Sequence, residues 1–358
     1  MRNIYLIRHG RPDFPEGEKW CLGRVDIALG TMGRLQACLT GEYLKQYSIS
    51  HIFCSSLSRS IETARFFYKE PVIFEGLEEA GTGEWDGLSF QEIRRRWPEL
   101  YAMRAENLEL LPPGAEKMEH AAERFANTIQ QILQSSQGDI AIVAHKTVNQ
   151  LFLCQNQGVS LEQRHAYKLD YASVSILTEE EGRMQIQETG LLCRPSLTEE
   201  VCRSLLQAAG VPQPVQAHCQ AVAAEAKRIG KALAEAGYPL DEELLVSSAW
   251  LHDIARTEKD HPAKGALWMK KLGYEKVADV IAQHHDLKNP LLMNEAAVVH
   301  LADKCIQGTV RVSLAERFAA SSVKCQSEEA KQSHRRRYEV VQILKKKLHE
   351  LCGKQIVW

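Results

Sequence analysis

Histidine, arginine and carboxylate side chains, the groups that do chemistry on phosphorus, fall in this chain where apolar runs end. In "YLIRHGRP" (5–12), Arg8 and His9 close an apolar run beside Gly10. In "VAHKTVN", His145 does the same after "DIAIVA" (139–144). A neutral imidazole flanked by guanidinium groups can attack phosphorus, while the arginines neutralise the phosphoryl oxygens and fix their geometry. One R-H-G by itself reads equally well as a turn with a surface histidine. Further along, "AWLHDIAR" (249–256) sets His252 against Asp253 inside an apolar helical pattern, and His218, His261, the His284–His285 pair and Asp303 extend it into an ordered series. Neutral imidazoles and carboxylates suit Mn, Fe, Ni or Zn, and a carboxylate between two ions can bridge them. Any one of these histidines alone reads as a core or surface residue, whereas seven metal-competent side chains in one series read as ligands. Adjacent residues do not share a helix face, so the His252–Asp253 pair is expected to meet a metal from a helix edge, with Asp253 reaching across.

The elements that must position these residues come in two styles. In the first half, "NIYLI" (3–7), "HIFC" (51–54), "PVIFE" (71–75), "DIAIVA" (139–144) and "SVSIL" (173–177) are strand candidates. Segments 31–47 and 120–136 carry apolar residues at helical spacing between them. Strand–helix alternation predicts a layered α/β domain with a mostly parallel sheet. The crevice beyond the strand C-termini of such a sheet is where ligands bind, and it could hold both histidines. After about residue 195 the strand signals stop. "SLTEEVCRSLLQAAG" opens with Ser196 and Glu199 spaced as a capping box and closes on Gly210, and helical patterns follow to the end. The boundary is expected within 188–196, giving an α/β domain over 1–192, an all-α domain over 196–320 and a helical tail over 321–358. In the tail, "HRRRYEVVQILKKKLHE" reads as a solvated helix docked by its apolar face, with a basic anion-binding face as the alternative. There is no internal repeat.

Composition bounds the class. The chain has 358 residues, 44% of them hydrophobic and 25% charged, which suits a soluble protein of two ordinary domains. A formal net charge of −2 gives no electrostatic reason to expect nucleic acid or an acidic membrane as partner. No apolar run approaches the roughly 18–20 residues that span a bilayer, and the charged motif arrives too early for a signal peptide. The ten cysteines are scattered without a C-x-x-C pair, so reduced thiols in a cytoplasm are expected rather than a zinc site or a disulfide framework.

With "CSSLSRSIETA" (54–64) and "LEEAGTGEWDG" (77–87) following R-H-G in order, residues 1–190 resemble the histidine phosphatase superfamily, with its three-layer phosphoglycerate mutase-like fold. The resemblance implies that His9 becomes a phosphohistidine, that Arg8, Arg59 and His145 hold the phosphoryl oxygens, and that Glu79 protonates the leaving oxygen and then activates water, with no cofactor. To arrive protonated near neutral pH, Glu79 must be partly buried beside the charge of the transferring phosphate. The bland reading of Glu79 and Arg59 is a surface ion pair. The chain departs from the family at Pro15, where many members have asparagine, and at Lys146 and Thr147, where many have glycines. The stretch between Glu79 and His145 is short for a mutase, which favours hydrolysis over phosphoryl return. A phosphomutase is the runner-up.

The order H…HD…H…HH…D over about 196–310 resembles the HD-domain superfamily of metal-dependent phosphohydrolases. The resemblance implies one ion on His218, His252, Asp253 and Asp303. A second would lie on His261, His284 and His285, with Asp253 bridging and Mn or Fe the favoured metals. Arg256 stands where members often carry a phosphate-binding lysine, and offers a planar fork in its place. A two-iron oxygenase is the alternative here, and a ligand-sensing half without turnover is the alternative for either domain. His51, His120, His165, His334 and His349 are expected to be solvated or structural; His300, one turn before Asp303, is expected to be a packed bystander, with support of a ligand from behind as the alternative. The expected substrates are small phosphorylated compounds, the fusion suggesting successive phosphates of something nucleotide-like. The sequence leaves the oligomeric state open.

Overall fold

The computed structural model describes residues 1–15, 17–107, 110–323 and 325–353. The chain divides into two compact units, Met1–Pro195 and the residues from Ser196 onward.

The first unit runs β1 (Arg2–Arg8), β2 (Trp20–Cys21), α1 (Thr31–Leu44), β3 (Ile49–Cys54), α2 (Ser58–Arg65), β4 (Val72–Ile73), β5 (Leu88–Ser89), α3 (Phe90–Arg96), α4 (Pro98–Glu106), α5 (Met118–Ser135), β6 (Asp139–Ala144), α6 (Lys146–Gln157), β7 (Val174–Glu180) and β8 (Arg183–Leu191). Six strands form one sheet in the order β4-β3-β6-β1-β7-β8. β1, β3, β4 and β6 are parallel, whereas β7 pairs antiparallel with β1 and β8 antiparallel with β7. β1 is apolar on both faces because the sheet is covered on both. Ile4 and Leu6 pack with Phe125, Ile129 and Ile132 of α5 and Leu151 of α6, while Tyr5 and Ile7 pack on the other face with Leu44 of α1 and Ala64 of α2. Each such side chain contributes about 1.5–3 kcal/mol on burial. This is the three-layer, mostly parallel α/β architecture expected.

Local expectations need correcting. "PVIFE" gives only the two-residue edge strand β4, because the chain turns into a 3₁₀ segment at Glu75–Leu77. β8 was not expected, because "RMQIQETGL" is polar and its side chains lie largely at the surface. It follows β7 through a tight turn in which Glu181 and Gly182 both have positive φ (50° and 78°), the conformation of a two-residue hairpin. The helix expected over 31–47 ends at Leu44.

The second unit is helical: α7 (Glu199–Ala208), α8 (Gln213–Glu235), α9 (Glu242–Leu251), α10 (His261–Lys271), α11 (Glu275–Ala282), α12 (Glu295–Cys305), α13 (Leu314–Ser322) and α14 (Glu328–Cys352). One small hairpin, β9 (Ile306–Gln307) with β10 (Val310–Arg311), interrupts it, so strands do not stop entirely at 195. α7 is capped by Thr198, whose hydroxyl accepts from Val201 N, and not by Ser196, which lies too far outside to reach. α8 buries Val222, Ala226, Ile229 and Leu233, spaced along one helical face. α12 is buried at every position from Ala296 to Asp303. Of the expected tail, 321–323 and 325–353 are described: Ser321 and Ser322 end α13, so the expected boundary cuts that helix, and Glu328–Cys352 forms α14, docked through Val341, Leu344, Leu348 and Cys352; Lys324 and residues 354–358 lie outside the described residues. No described helix is long and apolar enough to cross a membrane.

Two candidate active sites

The register of the sheet makes the first site. Arg8 pairs with Ala144 across β1 and β6, and Cys54 of β3 pairs with Val143, so three strands end at one level. His9, Ser55 and His145 are the next residues on each, and His9 N–H continues the ladder to Ala144 O at 3.0 Å. The Gly10 position is forced by packing: a Cβ there would lie 2.4 Å from Gly33 O, and a Cβ on Gly33 would lie 2.1 Å from Arg11 O. α1 is pressed against the R-H-G loop, and only glycine allows it.

His9 is 4% exposed, and its Nδ1 lies 2.7 Å from Gly10 O. A carbonyl only accepts, so the ring proton sits on Nδ1 and Nε2 keeps its lone pair. Burial, with Arg59 and Arg8 adding to it, holds the imidazole well below the usual histidine range, so it is neutral at pH 7. The rings of His9 and His145 are 5.0 Å apart. Ser55 Oγ lies 2.9 Å from His145 Nε2; with the hydroxyl donating there, the ring proton is on Nδ1. Arg59 is fully buried and donates from Nη1 to Val25 O and from Nη2 to Gly23 O, each at 2.7 Å. Arg8 donates from Nη1 to Leu169 O and lies 3.7 Å above the Tyr171 ring. Three N–H groups are then buried without a protein partner: Arg8 Nε, Arg59 Nε and His145 Nδ1. Buried donors without acceptors are costly, and an anion would satisfy all three.

Glu79 is 6% exposed and accepts from Thr147 N at 3.0 Å and Val148 N at 3.2 Å, at the start of α6. It is buried and bonded to the backbone, and is no surface ion pair. The sequence reading missed several residues. Thr63 accepts from Gly10 N at 2.9 Å and donates to Arg59 O at 2.7 Å, tying the loop to α2. The Asp86 carboxylate accepts from Gly23 N, Arg24 N and Val25 N at 2.7–2.8 Å, fixing the loop whose carbonyls hold Arg59. Both lie inside the quoted motifs, so the signal was present as letters without a role.

The second site draws on five elements. His218 lies on α8, one turn before Val222 on the same buried face. Asp303 lies on α12, and His261 is the first residue of α10. His284 and His285 follow α11. The His252–Asp253 pair is not inside a helix: α9 ends at Leu251, and His252, its C-cap, begins a run of turns that Asp253 continues. Leaving the helix is what lets two adjacent side chains face one centre. Asp260, in the left-handed region at φ 49°, turns the chain so that His261 Nε2 comes within 3.0 Å of Asp253 Oδ1.

Two groups of potential ligand atoms result, His218–His252–Asp303 and His261–His284–His285, each with its atoms within 4.8 Å of one another. Asp253 stands between them: Oδ2 is 3.7 Å from His252 Nε2, and Oδ1 is 3.7 Å from His284 Nε2. His252 and His284 each direct Nδ1 to a backbone carbonyl at 2.7 Å, Ala249 O and Ile281 O, which leaves both Nε2 lone pairs buried without partners. That is how a ligating histidine is oriented from behind, and this donor set fits transition-metal ions. Burial would push the Asp253 and Asp303 carboxyls up, but neighbouring groups outweigh it and hold both below the usual range: His252 and His261 around Asp253, Lys304 and His218 around Asp303. Burial, Lys304 and His261 press His285 down to about 3, so it stays neutral. His218 is the exception: burial opposes its charge, but Asp303 and Gly308 O accept from its two ring nitrogens at 3.1 and 2.9 Å and raise it.

Arg256 Nη1 lies 3.1 Å from His261 Nε2, with its side chain about half exposed, so it borders the site. Lys304, whose ammonium meets Asp303 Oδ2, was missed. His300 is no bystander: buried on α12, it donates from Nδ1 to His284 O at 2.8 Å. His51, His120, His165 and His349 are exposed, and His334 bonds Ser321.

The family model of the histidine phosphatase superfamily (branch 1) matches residues 4–191, and that of the HD domain matches 215–307. A protein of Mycobacterium tuberculosis named as bifunctional is 27% identical over 179 residues, which are 48% of this chain and 49% of that one; the chain thus spans about half the length of this relative. An uncharacterized phosphatase of Bacillus subtilis is 28% identical over 164 residues, 44% of this chain and 79% of that one. A solved structure, mycobacterial hydrolase 2, superposes at a TM-score of 0.50 with 22% identity, covering 59% of this chain and 97% of its own, a likeness of fold.

Proposed function

We propose, for a chain that belongs to the histidine phosphatase superfamily (branch 1) through residues 4–191 and carries an HD domain at 215–307, two chemically independent phosphoric ester hydrolase centres. In the first, the observation that supports the reading is the trio of buried, unpartnered N–H groups around a neutral His9 whose Nε2 is free. A phosphomonoester would seat its oxygens on Arg8, Arg59 and His145. His9 Nε2 then forms the bond to phosphorus as the ester P–O bond breaks, and Glu79 gives its proton to the leaving oxygen. Glu79 next takes a proton from water, which attacks phosphorus; the N–P bond breaks, and phosphate leaves with His9 neutral again. The substrate is a small phosphorylated compound, and no cofactor is called for.

In the second centre, His218, His252 and Asp303 would hold one ion, His261, His284 and His285 another, with Asp253 bridging. Manganese or iron suits this donor set. When bound, the ions supply Lewis acidity toward water and a phosphoryl oxygen. The chain's own part is to fix the imidazoles through backbone carbonyls and to present Arg256 at the rim for the ester's remaining charge. A nucleotide-like phosphate ester is the proposed substrate class.

The test uses the full chain, assayed on p-nitrophenyl phosphate and bis-p-nitrophenyl phosphate with and without chelator. Monoester turnover under chelation should survive Asp253→Ala and vanish in His9→Ala; metal-dependent turnover should do the reverse. One substitution abolishing both would refute independence.

A further inference from the structure

We propose that the C-terminal helix α14, which lies beyond the matched HD region, is a working part of the metal centre: Arg337 and Lys347 strap the 284–292 segment so that His284 and His285 face Asp253. This rests on the metal-pair reading above.

Arg337 meets Asp286 through both prongs of its guanidinium, Nε to Oδ1 at 3.0 Å and Nη2 to Oδ2 at 2.7 Å. Asp286 directly follows His285, so this is a fixed two-point attachment at the end of the ligand pair. Ten residues further along, Lys347 Nζ donates to Leu291 O. At 1.5 Å per residue the two attachments lie about 15 Å apart along the helix axis, so α14 spans the segment instead of touching it at one point. Arg337 falls one turn before Val341 and prolongs the stripe Val341, Leu344, Leu348 by which the helix is docked. The apolar stripe supplies the adhesion; the arginine sets the register.

The segment needs such support because little of it is regular structure. α11 ends at Ala282 and α12 begins at Glu295. Besides the bond of His284 Nδ1 to Ile281 O and an exposed ion pair of Lys288 with Asp279 of α11, its other ties include Lys288 N to Gln283 Oε1, Leu291 N to Asn289 Oδ1 and the His300 bond to His284 O. The Lys288 N and Leu291 N bonds lie within the segment or its immediate start and do not fix it to the bundle. His300 holds it from α12; Arg337 and Lys347 hold it from α14. Arg337 is a positioning residue: it acts on an ion only through His284 and His285.

The experiment compares the full chain with Arg337→Ala, Asp286→Asn and the swap Arg337→Asp with Asp286→Arg, using exposed Lys346→Ala as control. Metal content after equilibration with manganese against a competing chelator is one readout. Amide hydrogen exchange of 284–292 in metal-free protein is the other. Arg337→Ala and Asp286→Asn should both weaken retention of one ion of two by about tenfold or more, as losses at positions behind metal ligands do, and should speed exchange of 284–292. The swap should restore both, and Lys346→Ala should change neither. Unchanged retention and exchange in folded Arg337→Ala and Asp286→Asn would overturn the proposal. A parent chain holding fewer than two ions would refute the metal-pair reading, and the exchange comparison would still decide the strap.

Discussion

Asp86 never touches the phosphoryl site, yet its removal should slow the first centre about as much as damage to Arg59 itself. Its carboxylate accepts three backbone N–H bonds from residues 23–25, and the carbonyls of Gly23 and Val25 accept both terminal nitrogens of Arg59. Asp86→Ala removes all three. Bonds to a charged acceptor contribute about 1.5–3 kcal/mol each; Arg24 N is at the surface and rehydrates, so the two remaining bonds set an expected loss of about 3–6 kcal/mol of stability. The kinetic effect comes from Arg59. Losing one preorganised donor to the transition state costs about 2.7–4 kcal/mol, or 10²–10³-fold. Displacement of the loop should give the lower end of that range, about 10²-fold in kcat/KM, since a misplacement of about 1 Å has that effect. The assay is p-nitrophenyl phosphate hydrolysis under chelation, with vanadate inhibition as a second measure of the anion site. Arg24→Ala, whose exposed ion pair with Glu116 contributes about 0–1 kcal/mol, is the control and should be near parental. Asp86→Ala folded and within about threefold of parental kcat/KM would refute the relay, because that is under 1 kcal/mol of transition-state stabilisation.

Further outcomes follow from the same geometry. Gly33→Ala sets a Cβ 2.1 Å from Arg11 O; α1 must retreat, lowering stability by about 1–3 kcal/mol and dislodging His9, as thermal melting with monoester kinetics will show. Because His9 and His145 are both depressed, the unfolded chain binds protons below pH ~6.5 that the folded chain refuses, so stability drops as pH is lowered, by up to about 1.4 kcal/mol per unit per histidine. Nuclear magnetic resonance of labelled His9 should show a ring that stays neutral and Nδ1-protonated as pH is lowered through the ordinary histidine range, and titration near 6.5 would contradict the buried geometry. Asp253→Ala should lose both ions of the HD centre in elemental analysis, whereas His261→Ala should lose mainly the one shared with His284 and His285.

Much of the fold was legible in the sequence because its signals are local. Strand ends followed by R-H-G and by His145 fixed where the crevice opens, and parallel register then brought the two histidines together. The antiparallel run of β7 and β8 was not legible: it depends on Glu181 adopting positive φ, and β8 is too polar to read as a strand. The end of α9 was missed because His252 and Asp253 continue an apolar pattern that the backbone does not follow. The candidate metal ligands were legible as a series, since each type suits a transition metal. Their supports were not: His300 and Arg337 act across elements, and no spacing along the chain announces a contact between α14 and the segment after α11. Asp86 and Thr63 illustrate the same limit, since their hydrogen bonds exist only once the loops meet.

The covalent step at His9 is the claim on which the first centre stands, and trapping it is the most direct test. The chelated full chain is mixed with p-nitrophenyl phosphate, whose leaving group needs little acid assistance, and quenched in alkali, where a phosphoramidate survives. Glu79→Gln, which lacks the base for water attack, should raise the trapped fraction toward about one phosphoryl group per chain. Peptide mass spectrometry should place that group on His9 and nowhere else, and His9→Ala should trap none. Turnover without any trapped intermediate in Glu79→Gln, or a phosphoryl group on another residue, would contradict the account.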